Sequence, residues 1–87
     1  MSLEEELKSL IVEGLNLKGM TPAQISDDMP IFGEGIGLDS LDAVELIVLL
    51  KRRYGAQVLG LEENREAMRS VRSLAEFIRS QTGGGAS

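Results

Sequence analysis

The sequence predicts an all-α domain, a four-helix bundle of three long helices and one short. Three observations predict it. Apolar residues recur at helical spacing in three separate stretches, no stretch alternates with the period of a strand, and serine or aspartate stands where each long helix would need a cap. Eighty-seven residues make one small domain with little surplus stability. Aromatic residues are 3% of the chain (Phe32, Tyr54 and Phe77), so the core must be built from Leu, Ile, Val, Met and Ala.

Leu3, Leu7, Leu10, Ile11 and Leu15 follow the i, i+4, i+7, i+8 recurrence of an amphipathic helix. Ser2 and Glu5 have the spacing of a capping box and Lys18-Gly19 supplies a stop, so the first helix is expected from Leu3 to about Asn16. A long connection follows. Thr21-Pro22-Ala23-Gln24 reads as a capped single turn, Met29-Pro30 resists helix, and Gly33, Gly35 and Gly37 recur at alternate positions. A connection of that length needs pins, and Ile25, Met29, Ile31, Phe32, Ile36 and Leu38 can lie across the core. Gly33-Glu34-Gly35 lacks the Lys-Ser/Thr ending and the preceding strand of a phosphate-binding P-loop.

The second helix is expected from about Ser40 to about Tyr54, ended by Gly55. At 100° per residue it carries two apolar stripes. Ala43, Leu46, Ile47, Leu50 and Tyr54 form the broader one, which would face the core. Leu41, Val44 and Val48 form a second on the Ser40 side, bordered by Glu45, Lys51 and Arg52. Only one stripe can face a small core, so the second is either covered by the long loop or left as a contact surface. Beyond Val58-Leu59-Gly60-Leu61, a short helical stretch covers Glu62 to Met68. Ser70 can then cap a last helix with Val71, Leu74, Ala75 and Ile78 on one face. The domain is expected to occupy residues 1–82, with Gly83-Gly84-Gly85-Ala86-Ser87 as a flexible tail.

Composition excludes several functions. The chain has no Cys and no His, which removes disulfides, thiolate nucleophiles and the usual zinc sites, so no metal site is expected. The net charge of −5 argues against nucleic acid as a partner. No apolar run reaches membrane-spanning length and the start lacks the basic and apolar regions of a signal peptide, so a cytoplasmic protein without membrane insertion is expected. The charge is also unevenly placed. Asp27 to Glu45 holds six acids and no base, whereas the rest of the chain sets nine bases against eight acids for a net +1. Such a field would steer basic partners toward Ser40, although acids in the first turn and Lys51-Arg52-Arg53 in the last also complement a helix dipole.

Ser40 stands at the mouth of the second helix, where unpaired N–H groups and a partial positive charge would favour a phosphate. A serine nucleophile needs an adjacent base, and neither a histidine nor a Ser-Lys motif is present, so no catalytic residue is expected and any chemistry at Ser40 belongs to another protein. The plainer alternative is that Asp39 and Ser40 only cap the helix.

Gly37-Leu38-Asp39-Ser40-Leu41-Asp42 followed by Val44-Glu45-Leu46 resembles the Gly-x-Asp-Ser-Leu-Asp-x-Val-Glu-Leu signature of the acyl carrier proteins of fatty-acid and polyketide synthesis. The resemblance extends from the first amphipathic helix to the last. It implies that a phosphopantetheinyl transferase joins 4′-phosphopantetheine to Ser40, that Asp39 assists through the transferase's magnesium ion, and that an acyl group rides as a thioester on the arm. It further implies that the second helix meets basic surfaces of acyl-transferring and synthesis enzymes, Asp42 and Glu45 by charge and Leu41, Val44 and Val48 by apolar contact, the carrier itself being a monomer. An aliphatic core with few aromatics can also part to admit some of the cargo.

The chain departs from the pattern at Lys51-Arg52-Arg53, where such carriers commonly run acidic, and in the glycine content of the Gly33 to Gly37 loop. Those departures suggest a carrier dedicated to one pathway, or one with altered partners. Two other readings stay open: an aminoacyl or peptidyl carrier, against which Asp39-Ser40-Leu41-Asp42 stands because a Gly-Gly-x-Ser pattern would mark that class, and a helical interaction module with no prosthetic group.

Overall fold

The computed structural model describes residues 2–58 and 65–81. Among them it has three α-helices, α1 (Leu3–Gly14), α2 (Ser40–Tyr54) and α3 (Val71–Gln81), and two single 3-10 turns at Pro22–Gln24 and Ala67–Arg69. The described residues form no strand, only isolated bridges between Pro30 and Ser70 and between Phe32 and Leu38. The all-helical expectation holds, but the count of four helices is not matched. Of the short helix expected over Glu62 to Met68, residues 62–64 lie outside the described residues, Arg65 and Glu66 form a turn, and only the 3-10 turn follows. Ser70 must be extended (φ −150°) to bridge Pro30 and cap α3, which stops helix before it. The tail at 83–87 lies outside the described residues as well.

Helix α1 begins where the Ser2 hydroxyl accepts the Glu5 N–H at 3.2 Å. It ends earlier than Lys18-Gly19 suggests. Asn16 adopts a left-handed conformation (φ 55°), the Leu17 N–H reaches back to the Val12 carbonyl at 2.9 Å and the Asn16 N–H to Glu13 at 3.3 Å. These two bonds make a Schellman ending with asparagine where glycine is usual, sealed by Leu17 and Val12 packing in the core. Gly14, in the last turn, lets α2 come close: a methyl group there would stand 2.5 Å from Leu49 Cδ1.

Leu7 and Ile11 of α1, Leu46 and Leu50 of α2, and Leu74 and Ile78 of α3 meet in a core from which water is excluded. Each side chain of that size contributes about 1.5–3 kcal/mol of burial. The long connection is part of this core, since Ile25, Ile31 and Leu38 are buried and Met29, Phe32 and Ile36 pack against it. The expected pins therefore hold. Charged groups brace the outside. The Arg79 guanidinium grips the Glu4 carboxylate through two bonds of 2.9 Å, tying α3 to α1 and holding the Glu4 carboxyl below the usual carboxylate range. Arg72 grips Asp28 in the same way (2.7 and 3.1 Å), and Lys8 meets Asp27 at 2.7 Å.

The loop that delivers the chain to α2 is knotted by backbone bonds. Ile31 N–H donates to Arg69 O (3.0 Å), Ile36 N–H to Pro30 O (2.8 Å) and Leu38 N–H to Ile31 O (3.1 Å). Gly33 and Gly37 turn it with positive φ, and at Gly35 any side chain would overlap the Pro30 carbonyl. Its glycines are thus explained by backbone geometry without a bound phosphate. Helix α3 starts on a reciprocal pair, the Ser73 N–H donating to Ser70 Oγ (3.2 Å) and the Ser70 N–H to Ser73 Oγ (2.9 Å), with serine in the place usually held by Glu or Gln.

Candidate functional site

Helix α2 begins on a complete capping box. The Asp39 carboxylate accepts the Asp42 N–H at 2.9 Å through Oδ1, and the Asp42 carboxylate accepts the Asp39 N–H at 3.3 Å. The backbone carbonyl of Asp39 takes the Ala43 N–H at 2.9 Å. The cap is therefore aspartate's alone. Ser40 is the first helical residue, exposed, and no described residue bonds to its hydroxyl. Asp39, not Ser40, makes the cap, and the Ser40 hydroxyl is left exposed without a partner among the described residues.

The Ser40 and Leu41 amides likewise have no partner among the described residues, so two donors and the positive end of a 15-residue helix surround that hydroxyl. An anionic phosphodiester on Ser40 fits this setting. Asp39 Oδ2 makes no hydrogen bond, which leaves one carboxylate oxygen open beside the serine.

The rest of α2 divides as its two stripes suggest. Ala43, Leu46 and Leu50 are buried and Ile47 and Tyr54 half-buried, whereas Leu41 is 80%, Val44 61% and Val48 48% exposed. The loop does not cover the second stripe. Tyr54 anchors the far end by donating its hydroxyl to Glu6 at 3.3 Å, and burial pushes its phenol upward. Gly55 closes the helix in the left-handed conformation (φ 68°).

The acidic field is smaller than the sequence implies. Asp27 and Asp28 are engaged by Lys8 and Arg72 and brace the loop. Glu34, Asp39, Asp42 and Glu45 have no ion pair among the described residues, so the negative charge offered near Ser40 is that of four carboxylates. One feature carried no sequence signal. Pro30, Phe32 and Met68 line a cleft of about 450 Å³ rimmed by Arg65, Glu66 and Arg69, and nothing in the periodicity pairs Phe32 with Met68.

Comparison with known proteins agrees with this geometry. The family model described as "Phosphopantetheine attachment site" matches residues 5–78. The chain is 32% identical over 83 residues to an acyl carrier protein of Chlamydia caviae, covering 95% of this chain and all of that one. It is also 32% identical over 78 residues to an acyl carrier protein of a Sulfurovum species, covering 90% and 96%. The fold matches the solution structure of a holo acyl carrier protein from Nitrosomonas europaea with a TM-score of 0.76, at 23% identity over 95% of this chain and 99% of that one. The class so defined is a small helical carrier domain whose prosthetic group is covalent 4′-phosphopantetheine. The chain belongs to the acyl carrier protein family, whose members carry acyl groups and are not enzymes.

Proposed function

We propose that Ser40 is the attachment residue and that the chain delivers acyl thioesters to fatty-acid or polyketide type enzymes. A single observation carries this: the one serine at the start of α2 is exposed and unbonded because Asp39 has taken over the cap. In loading, Ser40 Oγ forms a bond to the phosphorus of coenzyme A's pantetheine phosphate, the bond to the second phosphate breaks, and adenosine bisphosphate leaves. The hydroxyl proton goes to a base of the transferase, since this chain has neither His nor Cys. Once bound, the arm supplies a terminal thiol, which a chain without cysteine lacks.

Asp39 then has two duties. Oδ1 fixes the first turn and so the direction of the Ser40 side chain, while Oδ2 is free to meet the transferase's magnesium ion. The unpartnered Ser40 and Leu41 amides favour the phosphodiester after transfer. Asp42 and Glu45 favour basic surfaces on partner enzymes, and Leu41, Val44 and Val48 supply apolar contact, an arrangement suited to exchangeable docking. We read residues 1–82 as the carrier domain, acting as a cytoplasmic monomer. No helix among the described residues is long and apolar enough to cross a membrane.

Incubation with coenzyme A and a broad-specificity phosphopantetheinyl transferase, followed by intact mass measurement, tests the assignment. One phosphopantetheine is expected on the native chain and none on Ser40→Ala. Unchanged loading of Ser40→Ala refutes it.

A further inference from the structure

The last turn of α2 carries Lys51, Arg52 and Arg53, all exposed. Each of them complements the helix dipole. Among the described residues they have no ion-pair partner of their own. The residues three and four positions before them are Ile47, Val48, Leu49 and Leu50, none of which is an acid, and no ion pair reaches them from any described residue.

Their directions differ. At 100° per residue Lys51 and Arg52 flank the exposed strip of Val44 and Val48, whereas Arg53 falls on the opposite flank and lines a groove with Glu6 and Glu13 of α1. Asp42 lies beside Arg53 on that opposite flank and is held in the capping box, so the exposed face runs from the Glu45 carboxylate, over an apolar middle, to the cations of Lys51 and Arg52. Glu45 and Arg52 are seven residues apart, about 10 Å along the axis. That exceeds the Debye length of about 8 Å at physiological ionic strength, so the two ends do not cancel and each meets its own part of a partner.

We propose that this face selects protein partners with a two-signed docking patch, basic where it meets Glu45 and acidic where it meets Lys51 and Arg52. The inference rests on Ser40 being the loading point, because that gives the face its purpose. Reversing the helix on such a patch would bring like charges together at both ends, so the partner receives Ser40 in one direction only. A uniformly basic patch is repelled at the far end. The two signs therefore serve specificity: they turn away enzymes whose docking patch is basic along its whole length.

The test uses docking without loading. The full chain carrying Ser40→Ala is titrated, by surface plasmon resonance at low salt, over a ketosynthase with a uniformly basic carrier-docking patch. It is then titrated over the same ketosynthase with the basic residues at the patch's far end replaced by Glu. The chain is expected to bind the two-signed patch about tenfold more tightly, the sum of two modest charge contacts, and the ratio should shrink as salt rises. Lys51→Glu with Arg52→Glu should invert the preference, and Arg53→Glu should leave it unchanged. Lys51→Gln with Arg52→Gln, which introduces no new repulsion within the helix, should abolish it. Equal affinity of the native face for both patches, or no inversion by the double variant, overturns the proposal. Since Ser40→Ala cannot be loaded, neither result depends on the attachment experiment, and failure of that experiment is seen separately by mass.

Discussion

Gly35→Ala tests whether the knot before α2 positions the candidate site. A Cβ at Gly35 would overlap the Pro30 carbonyl oxygen and stand 2.8 Å from its carbon and 2.9 Å from Met29 Cγ. Neither neighbour is free to yield. The Pro30 oxygen accepts the Ile36 N–H, Pro30 bridges Ser70, and Met29 packs against the core. Relief of the overlap by a backbone shift costs about 1–3 kcal/mol and loss of the Ile36 bond about 0.5–1.5 kcal/mol, together about 1.5–4.5 kcal/mol. In a domain of this size each kcal/mol moves Tm by about 4–8 °C, so Gly35→Ala should melt roughly 6–36 °C below the native chain. Gly33→Ala is the control, because it lies in the same loop but meets no atom within 4 Å. It bears only the left-handed strain of about 1–2 kcal/mol, less some gain from a stiffer unfolded chain. Thermal and urea unfolding followed by circular dichroism measure both. If Gly35→Ala melts within a few degrees of Gly33→Ala, the close approach at Pro30 does not hold the loop and the argument fails.

Asp39→Asn keeps an oxygen for the Asp42 N–H and removes the charge, so its Tm should stay near native while loading by the transferase slows. Asp39→Ala should lose about 1 kcal/mol of cap energy as well, and equal loading rates for native and Asp39→Asn chains would remove the carboxylate from the reaction. The Glu4 carboxyl is held below its ordinary value of 4.5 chiefly by its hydrogen bonds to Arg79, so the stability it adds is fully present above that value and is lost as pH falls through the folded pKa. Glu4→Gln should therefore melt below the native chain at neutral pH, with the gap closing in acid; a gap that stays constant down to the lowest pH at which both still melt would refute the assignment. Acyl groups of increasing length on Ser40 should raise Tm step by step if the aliphatic core admits them, whereas identical melting for short and long cargos would put the cargo outside the core.

What was legible in the sequence is what local pattern dictates. Two stripes on one helix, a cap before it and Gly55 after it mark out α2, because none of those signals depends on a distant partner. The same holds for the Ser70 start of α3 and for the apolar pins of the loop. What escaped depends on contacts across the chain. Asp27 and Asp28 read as part of an acidic field until Lys8 and Arg72 are seen beside them, the latter 44 positions away from Asp28. The end of α1 was misplaced because Asn16 takes a conformation that glycine normally signals, and Lys18-Gly19 offered the more familiar stop. At Ser40 the sequence left capping and presentation open, since aspartate and serine both cap; only the bond from Asp42 N–H to Asp39 separates them.

That separation links fold to function in this chain. A serine that capped α2 would have its hydroxyl turned into the helix and its conversion to a phosphodiester would cost the helix its start. By giving the cap to Asp39, closing the box with Asp42 and burying Leu38 immediately before it, the chain holds the first turn without help from Ser40. The fold therefore does not depend on the Ser40 hydroxyl for the start of α2. The partition of α2 follows the same economy: Leu46 and Leu50 secure the helix to the bundle while Leu41, Val44 and Val48 stay free of it, so substitutions on that exposed side need not disturb the core.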